Sequence, residues 1–371
     1  MKSITLKTAF FELIRHEILG EPLSRGVIEF LNEENVIKIY KLSKIHDISQ
    51  IIVSSLDKAE IISGKLKDEF VKTLPVSLLR CESQDYEIEK IREVFNKEEV
   101  PFIMLKGATV RSFYPKRFLR TSCDVDVLVK KTDLSRAVEV LSKNLNYLIK
   151  KGTAHDVFLY SQSGVHIELH HTLIEDGINK NANIELEKAF EKSQLKNGSE
   201  YLLSGEIFYL YHIAHMAKHA LHGGCGVKPF IDLFLIKNNV KVDDIELNKL
   251  LKKCNLYKFY IEVNNLLGVW FLDKEKTETS LNFENYILQG GVYGTLDNSV
   301  KLNRAKKSSK KSYILSRIFL PYDKLKLIYP ILEKHKILTP FYQVRRWFKL
   351  IFKKRIKKTK LELSINANLT E

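Results

Sequence analysis

Asp124 and Asp126 stand two residues apart in the run Asp124-Val125-Asp126-Val127-Leu128-Val129. On a strand, both carboxylates leave the same face. Two ionised acids held side by side repel, and a divalent cation is the usual remedy; oxygen-only ligation suits Mg²⁺ or Mn²⁺. Alone, the pair is a weak signal and better fits an exposed strand end with two solvated aspartates. Its neighbours sharpen the reading. Gly107 follows an apolar run and opens a short helix, a place where backbone N–H groups favour phosphate, and Lys106 adds a cation beside it. Further on, His166, Glu168 and His170 alternate with Ile167 and Leu169, so one strand face is polar and the other apolar. A phosphate turn, paired aspartates and a third carboxylate are the parts of metal-assisted phosphoryl chemistry.

The elements that must hold these groups are legible in outline. Residues 1–98 show apolar spacings of three and four, through Phe10, Phe11, Leu13, Ile14 and Leu19 and again through Val36, Ile37, Ile39, Tyr40 and Leu42, and predict helices. At Val100 the period changes: Val100 to Leu105 reads as a buried strand, followed by a helix to about Tyr114. Asp124–Val129 is the second strand, and Thr132 or Asp133 caps a helix bearing Leu134, Ala137, Val138 and Leu141. Strands are then expected at Tyr147 to Ile149, Val157 to Tyr160 and Val165 to Leu169. Residues 184–290 return to helical periodicity. The expected organisation is a helical region at 1–98, an α/β core at 99–180, a helical domain at 181–298 and a basic segment at 299–371. The fold class is α+β, a small mixed sheet flanked by helical regions.

Composition excludes several alternatives. In 371 residues, 44% are hydrophobic and 28% charged, which suits a packed soluble protein and not a disordered one. No apolar run approaches the roughly 20 residues that span a bilayer. Glu12, Arg15, His16 and Glu17 occupy the stretch where a secretory signal would be apolar, so a cytoplasmic location is expected. Cys81, Cys123, Cys225 and Cys254 are scattered without a CxxC pair, which argues for reduced, structural thiols. The net charge of +15 is not spread over the chain. Residues 301–371 hold 20 lysines and arginines against four acids, leaving the first 300 close to neutral. The excess belongs to the C-terminal segment and not to the candidate site.

The pattern resembles the uncharacterised nucleotidyltransferases of the polymerase-β-like superfamily, in the bacterial branch often found near polysaccharide and peptide natural-product genes. The resemblance rests on Leu105-Lys106-Gly107, Tyr114-Pro115, Arg120, Asp124 to Val129 and Glu168-Leu169-His170. A helix carrying His215, Lys218 and His219, and Asp232 beyond it, extend it. It implies a nucleotidyltransferase core and metal-dependent transfer of NMP from an NTP donor to an acceptor, with release of pyrophosphate. It further implies that Asp124 and Asp126 hold Mg²⁺ or Mn²⁺, and that Glu168 completes the metal site or takes the acceptor's proton. Lys106, Gly107, Ala108, Arg120, His170, His215, Lys218 and His219 would meet the nucleotide, ATP among the candidates, with Lys106 and Arg120 neutralising the triphosphate. One departure is that the wider superfamily usually has Gly-Ser or Gly-Gly where this chain has Gly107-Ala108. The acceptor stays open among a glycan intermediate, a sugar phosphate, a peptide and a protein side chain. The rival readings are a catalytically weak nucleotide-binding regulator and a membrane-associated scaffold.

Two features lie outside that core. His212, His215, His219 and His222 fall on an arc of about 80° of one helix. They read as a substrate-binding wall, a zinc pair at His215 and His219, or a polar stripe satisfied by carbonyls and carboxylates; His155 and His171 read as ordinary. From Gln343 to Lys360, Val344, Trp347, Phe348, Leu350, Ile351 and Phe352 interleave with cations, among them Arg345, Arg346, Lys349, Lys353, Lys354 and Arg355. A helix there would either dock by its apolar side or lie peripherally on an anionic membrane surface. Nucleic acid is not an expected partner, because no aromatic-basic RNA motif is visible.

Overall fold

A computed structural model describes residues 4–150, 152, 156–174, 179–305, 319–352, 361–362 and 364–365. His155, the basic run Lys306 to Lys311 and residues 353–360 of the basic segment lie outside the described residues. The chain divides into two compact units, residues 1–217 with 226–288, and residues 218–225 with 289–371.

The first unit begins with six helices: α1 (Leu6–Leu19), α2 (Arg25–Phe30), α3 (Glu33–Ile45), α4 (Ser49–Lys58), α5 (Gly64–Val71) and α6 (Thr73–Lys97). Local chemistry sets their ends. Thr5 caps α1 by accepting from the Thr8 amide, and Gly20 stops it in the left-handed conformation, φ 74°. In α6, Ile88, Ile91, Val94 and Phe95 recur at helical spacing and are buried. That stripe packs on one face of the sheet, together with Phe102, Met104, Val125, Val127, Val129, Ile167 and Leu169.

The sheet has seven strands in the order β3-β4-β5-β2-β1-β7-β6. They are β1 (Phe102–Met104), β2 (Asp124–Val129), β3 (Leu148–Lys150), β4 (Asp156–Tyr160), β5 (His166–His170), β6 (Ser193–Asn197) and β7 (Glu200–Leu203). The architecture is therefore α+β with a mixed sheet, as the sequence predicts. Between β1 and β2 lie α7 (Lys106–Val110) and two single 3₁₀ turns; α8 (Leu134–Asn144) follows β2. Asp133 precedes α8 but makes no side-chain cap bond.

Helical periodicity after residue 184 misses the hairpin β6–β7, which pairs with the far edge of β1 in parallel. A signal was present. Gly198-Ser199 is a two-residue hairpin turn between the paired Asn197 and Glu200, and Gly198 has φ 55°. Helices α9 (Lys180–Leu186), α10 (Gly205–Leu221), α11 (Lys228–Asn239), α12 (Asp244–Lys253), α13 (Tyr257–Phe271) and α14 (Glu278–Gly290) supply the rest of the helical mass.

In the second unit, α15 (Leu296–Ala305) is followed by helices Tyr322–Ile328 and Thr339–Phe352. Leu325, Tyr329 and Leu332 form a small core with Tyr342 against it. No described helix is long and apolar enough to cross a membrane.

Candidate active site

Register assembles the site. β2 and β5 run parallel, with Asp124 opposite His166, Asp126 opposite Glu168 and Leu128 opposite His170. Because Val125, Val127 and Val129 point into the helix-covered core, these partners all face the other side of the sheet. Three carboxylates from two strands thus converge, as read from the alternation of each strand.

Their ligand atoms form two overlapping groups among the described residues. One comprises Asp124, His166 and Glu168, the other Asp126, Glu168 and His170, with all atoms of each group within 4.8 Å of one another. Glu168 belongs to both. His170, however, is already engaged: Nε2 lies 2.7 Å from Asp126 Oδ1, and Nδ1 meets Asp156 Oδ1 on β4. With both ring nitrogens on carboxylates, it orients Asp126 and is not itself an open metal ligand. The donor set left for a cation is Asp124, Asp126, Glu168 and His166, three carboxylates and one imidazole, a mostly oxygen set that fits a hard divalent ion.

The electrostatics follow from burial. Asp124 is raised above the usual carboxylate range by burial and then by Asp126. Asp126 is buried too, yet Lys106 and His170 hold it well below that range. Glu168 is pushed up to about 7 by burial and by the two aspartates. Burial disfavours the His170 imidazolium, but its bonds to Asp126 and Asp156 raise it to about 9. Such opposed shifts among neighbouring acids are what a site for positive charge displays before that charge arrives.

Lys106 supplies part of that charge. Its Nζ lies 3.6 Å from Asp126 and 5.7 Å from the centre of the Tyr211 ring on α10. Burial opposes its charge, but Asp126, Tyr211 and Asp124 hold the ammonium above its ordinary value. The residue sits at φ +33°, in a region that lysine rarely adopts. Strain of this kind persists where the surroundings over-determine a conformation, and it places Lys106 at the head of α7 beside the acids.

Arg120 lies beneath the Gly107 turn. It is buried and joined to Asp232 of α11 at 2.9 Å, with Tyr114 donating to the same carboxylate at 2.7 Å. Its Nη1 lies under the turn: a Cβ on Gly107 would come within 2.8 Å of that nitrogen and 3.0 Å of Ser122 Oγ. Gly107 is therefore needed for close approach by the arginine and serine beneath it. Ala108 follows in α7, packed against the core. Ser122 is held in turn by Arg111 and Gln84, which also bonds the carbonyls of Ser122 and Asp124. Sequence reasoning missed this layer of Gln84, Arg111, Ser122, Asp156 and Tyr211, since none falls in a motif.

Two histidines of the stripe meet backbone carbonyls. His212 Nε2 meets the Pro229 carbonyl at 2.8 Å, and His222 Nδ1 meets the Lys218 carbonyl at 2.7 Å. His215 sets its ring edge-on to Tyr211 at 6.3 Å, while Lys218 and His219 belong to the second compact unit. None of the α10 histidines enters a metal-competent group among the described residues. Cys81, Cys225 and Cys254 are buried, and Cys123 is exposed.

Comparison with known proteins places this geometry in context. A family model described as uncharacterised nucleotidyltransferase matches residues 32–271. No curated protein matches. Among solved structures, the chain is similar to the antibiotic-resistance factor ANT(2'')-Ia at 10% identity and a TM-score of 0.34, over 50% of this chain and 97% of that one.

Proposed function

This chain belongs to the family of uncharacterised nucleotidyltransferases, and from that premise we propose that it transfers a nucleoside monophosphate from an NTP, releasing pyrophosphate. The observation that carries this reading is the convergence of Asp124, Asp126 and Glu168 from paired parallel strands. Mg²⁺ or Mn²⁺ held by these three would draw charge from the α-phosphate and orient the triphosphate.

The protein's own residues account for the remaining requirements. Lys106, beside Asp126, neutralises phosphate charge. Gly107 keeps the turn low over Arg120, whose charge is felt at Asp126 while its hydrogen bonds hold Asp232. Arg120 is thus a positioning residue for the turn. His170 fixes the orientation of Asp126. The acceptor oxygen attacks the α-phosphorus, the bond to the bridging oxygen breaks, and the acceptor's proton passes to Glu168. His215, Lys218 and His219 are assigned to the nucleotide by the family resemblance and not by position.

The membrane reading rests on the helix Thr339–Phe352. Phe341, Val344 and Phe348 are exposed there beside Arg345, which suits an anionic lipid surface.

Thermal-shift binding of ATP, GTP, CTP and UTP, with and without Mg²⁺ or Mn²⁺, tests the central reading. A metal-dependent rise for at least one nucleotide, lost in Asp124→Asn, is expected. No rise with any nucleotide in either metal would overturn it.

A further inference from the structure

At the C-terminal end of β2 lies a cavity of about 810 Å³. Register shows how close it is. Ile103 pairs with both Leu128 and Tyr201, and Leu128 pairs with His170, so Tyr201, Ile103, Leu128 and His170 form one row across the sheet. The row beneath it contains Asp126 and Glu168. Leu128 and Tyr201 line the cavity, which therefore begins one side-chain step, about 7 Å, from the carboxylates.

Its lining has a definite chemistry. Phe190 and Tyr201 meet edge to face with ring centres 5.9 Å apart, and Lys130 Nζ sits 5.5 Å from the Phe190 ring centre. Lys130, Lys131, Glu187 and Glu191, all exposed, also line it, together with His171. Among the described residues none of these four enters an ion pair, although opposite charges share one cavity. Two donors and two acceptors are thus left facing a space walled by aromatic rings.

We propose that this cavity is the acceptor subsite and that it takes a neutral glycoside. The proposal rests on the nucleotidyl-transfer reading and names the acceptor class for it. A sugar ring lays its C–H face on an aromatic ring and presents vicinal hydroxyls that donate to carboxylates and accept from ammonium groups. Balanced lining charge disfavours the alternatives, since Glu187 and Glu191 oppose a phosphate as much as the lysines attract it. A hydroxyl of the bound sugar would enter from the Leu128 side and attack the α-phosphorus. The new oxygen–phosphorus bond replaces the bond to pyrophosphate, and the proton moves to Glu168.

Saturation-transfer difference NMR on the full chain tests this. The probes are the methyl glycosides of glucose, galactose, mannose and N-acetylglucosamine, with glucose 1-phosphate and a neutral tetrapeptide as controls. At least one glycoside is expected to show saturation strongest on its ring C–H protons. Phe190→Ala should weaken its affinity about tenfold, and Lys131→Ala, at an exposed site, should weaken it less while preserving the fold. Asp124→Asn should leave glycoside binding unchanged. No glycoside signal, a preference for glucose 1-phosphate or peptide, or equal signals in wild type and Phe190→Ala would overturn the proposal. Nucleotide binding, measured separately, keeps the two readings apart. NTP binding without glycoside binding removes only the acceptor assignment, whereas glycoside binding without NTP binding removes the transfer on which that assignment depends.

Discussion

Arg120 and Asp232, 112 residues apart, are joined inside the protein by two hydrogen bonds, Nη2 to Oδ2 at 2.9 Å and Nε to Oδ1 at 3.3 Å. The pair anchors α11 to the chain that enters β2, and its guanidinium lies against Gly107. The arginine of the motif therefore acts on the turn from below.

Removing one partner of a buried pair leaves an uncompensated charge. Asp232→Ala should destabilise the protein by about 3–5 kcal/mol. Arg120→Met combined with Asp232→Leu should cost less than either single change. Urea titration of the three variants checks this, and a double variant worse than both singles would contradict it.

Gly107→Ala places a methyl group 2.8 Å from Arg120 Nη1. Crowding of this kind costs about 1–3 kcal/mol. The expected result is a lowered Tm together with a diminished metal–NTP shift, because the turn lifts with the arginine. A Tm equal to wild type would show that the layer beneath Gly107 yields freely.

Asp124 and Asp126 should respond differently to neutralisation. Asp124 carries a charge that burial and Asp126 disfavour, so Asp124→Asn should preserve or raise the apo Tm while removing metal binding. Asp126 pairs with Lys106 and His170, so Asp126→Asn strands two cations and should lower the Tm. Equal effects in a thermal melt would refute this division. The sequence alone treats the two aspartates as equivalent.

His46 is fully buried, and burial pushes its imidazole down to about 4 against the slight raising effect of the Leu288 backbone. The folded protein holds it neutral, while the unfolded chain protonates it near pH 6.5. Stability is therefore full above pH 6.5 and falls as pH drops towards 4, by at most about 3 kcal/mol from this group. Urea melts at pH 7 and pH 4.5 should show the loss, and His46→Leu should reduce it. An unchanged pH slope in that variant would assign the loss to other groups.

The exposed aromatics of the helix Thr339–Phe352 should bind vesicles containing phosphatidylglycerol and not phosphatidylcholine alone. Phe341→Ala with Phe348→Ala should weaken co-sedimentation about tenfold. Indifference to lipid charge would remove the membrane reading.

Alternation along Asp124–Val129 and His166–His170 already determined which residues share a face, because period two is a local property of any strand. The helical N-terminal region was legible for the same reason, and the Gly198-Ser199 turn marked a hairpin that helical spacing obscured. Tertiary structure decided the rest. Parallel pairing of β2 with β5 sets Asp126 opposite Glu168, and no spacing within either strand specifies that register. It also gave His170 to Asp156 and Asp126, and Arg120 to Asp232. A side chain's type limits what it can bind, but burial and the nearest opposite charge choose its partner, and both arise only when distant elements pack together.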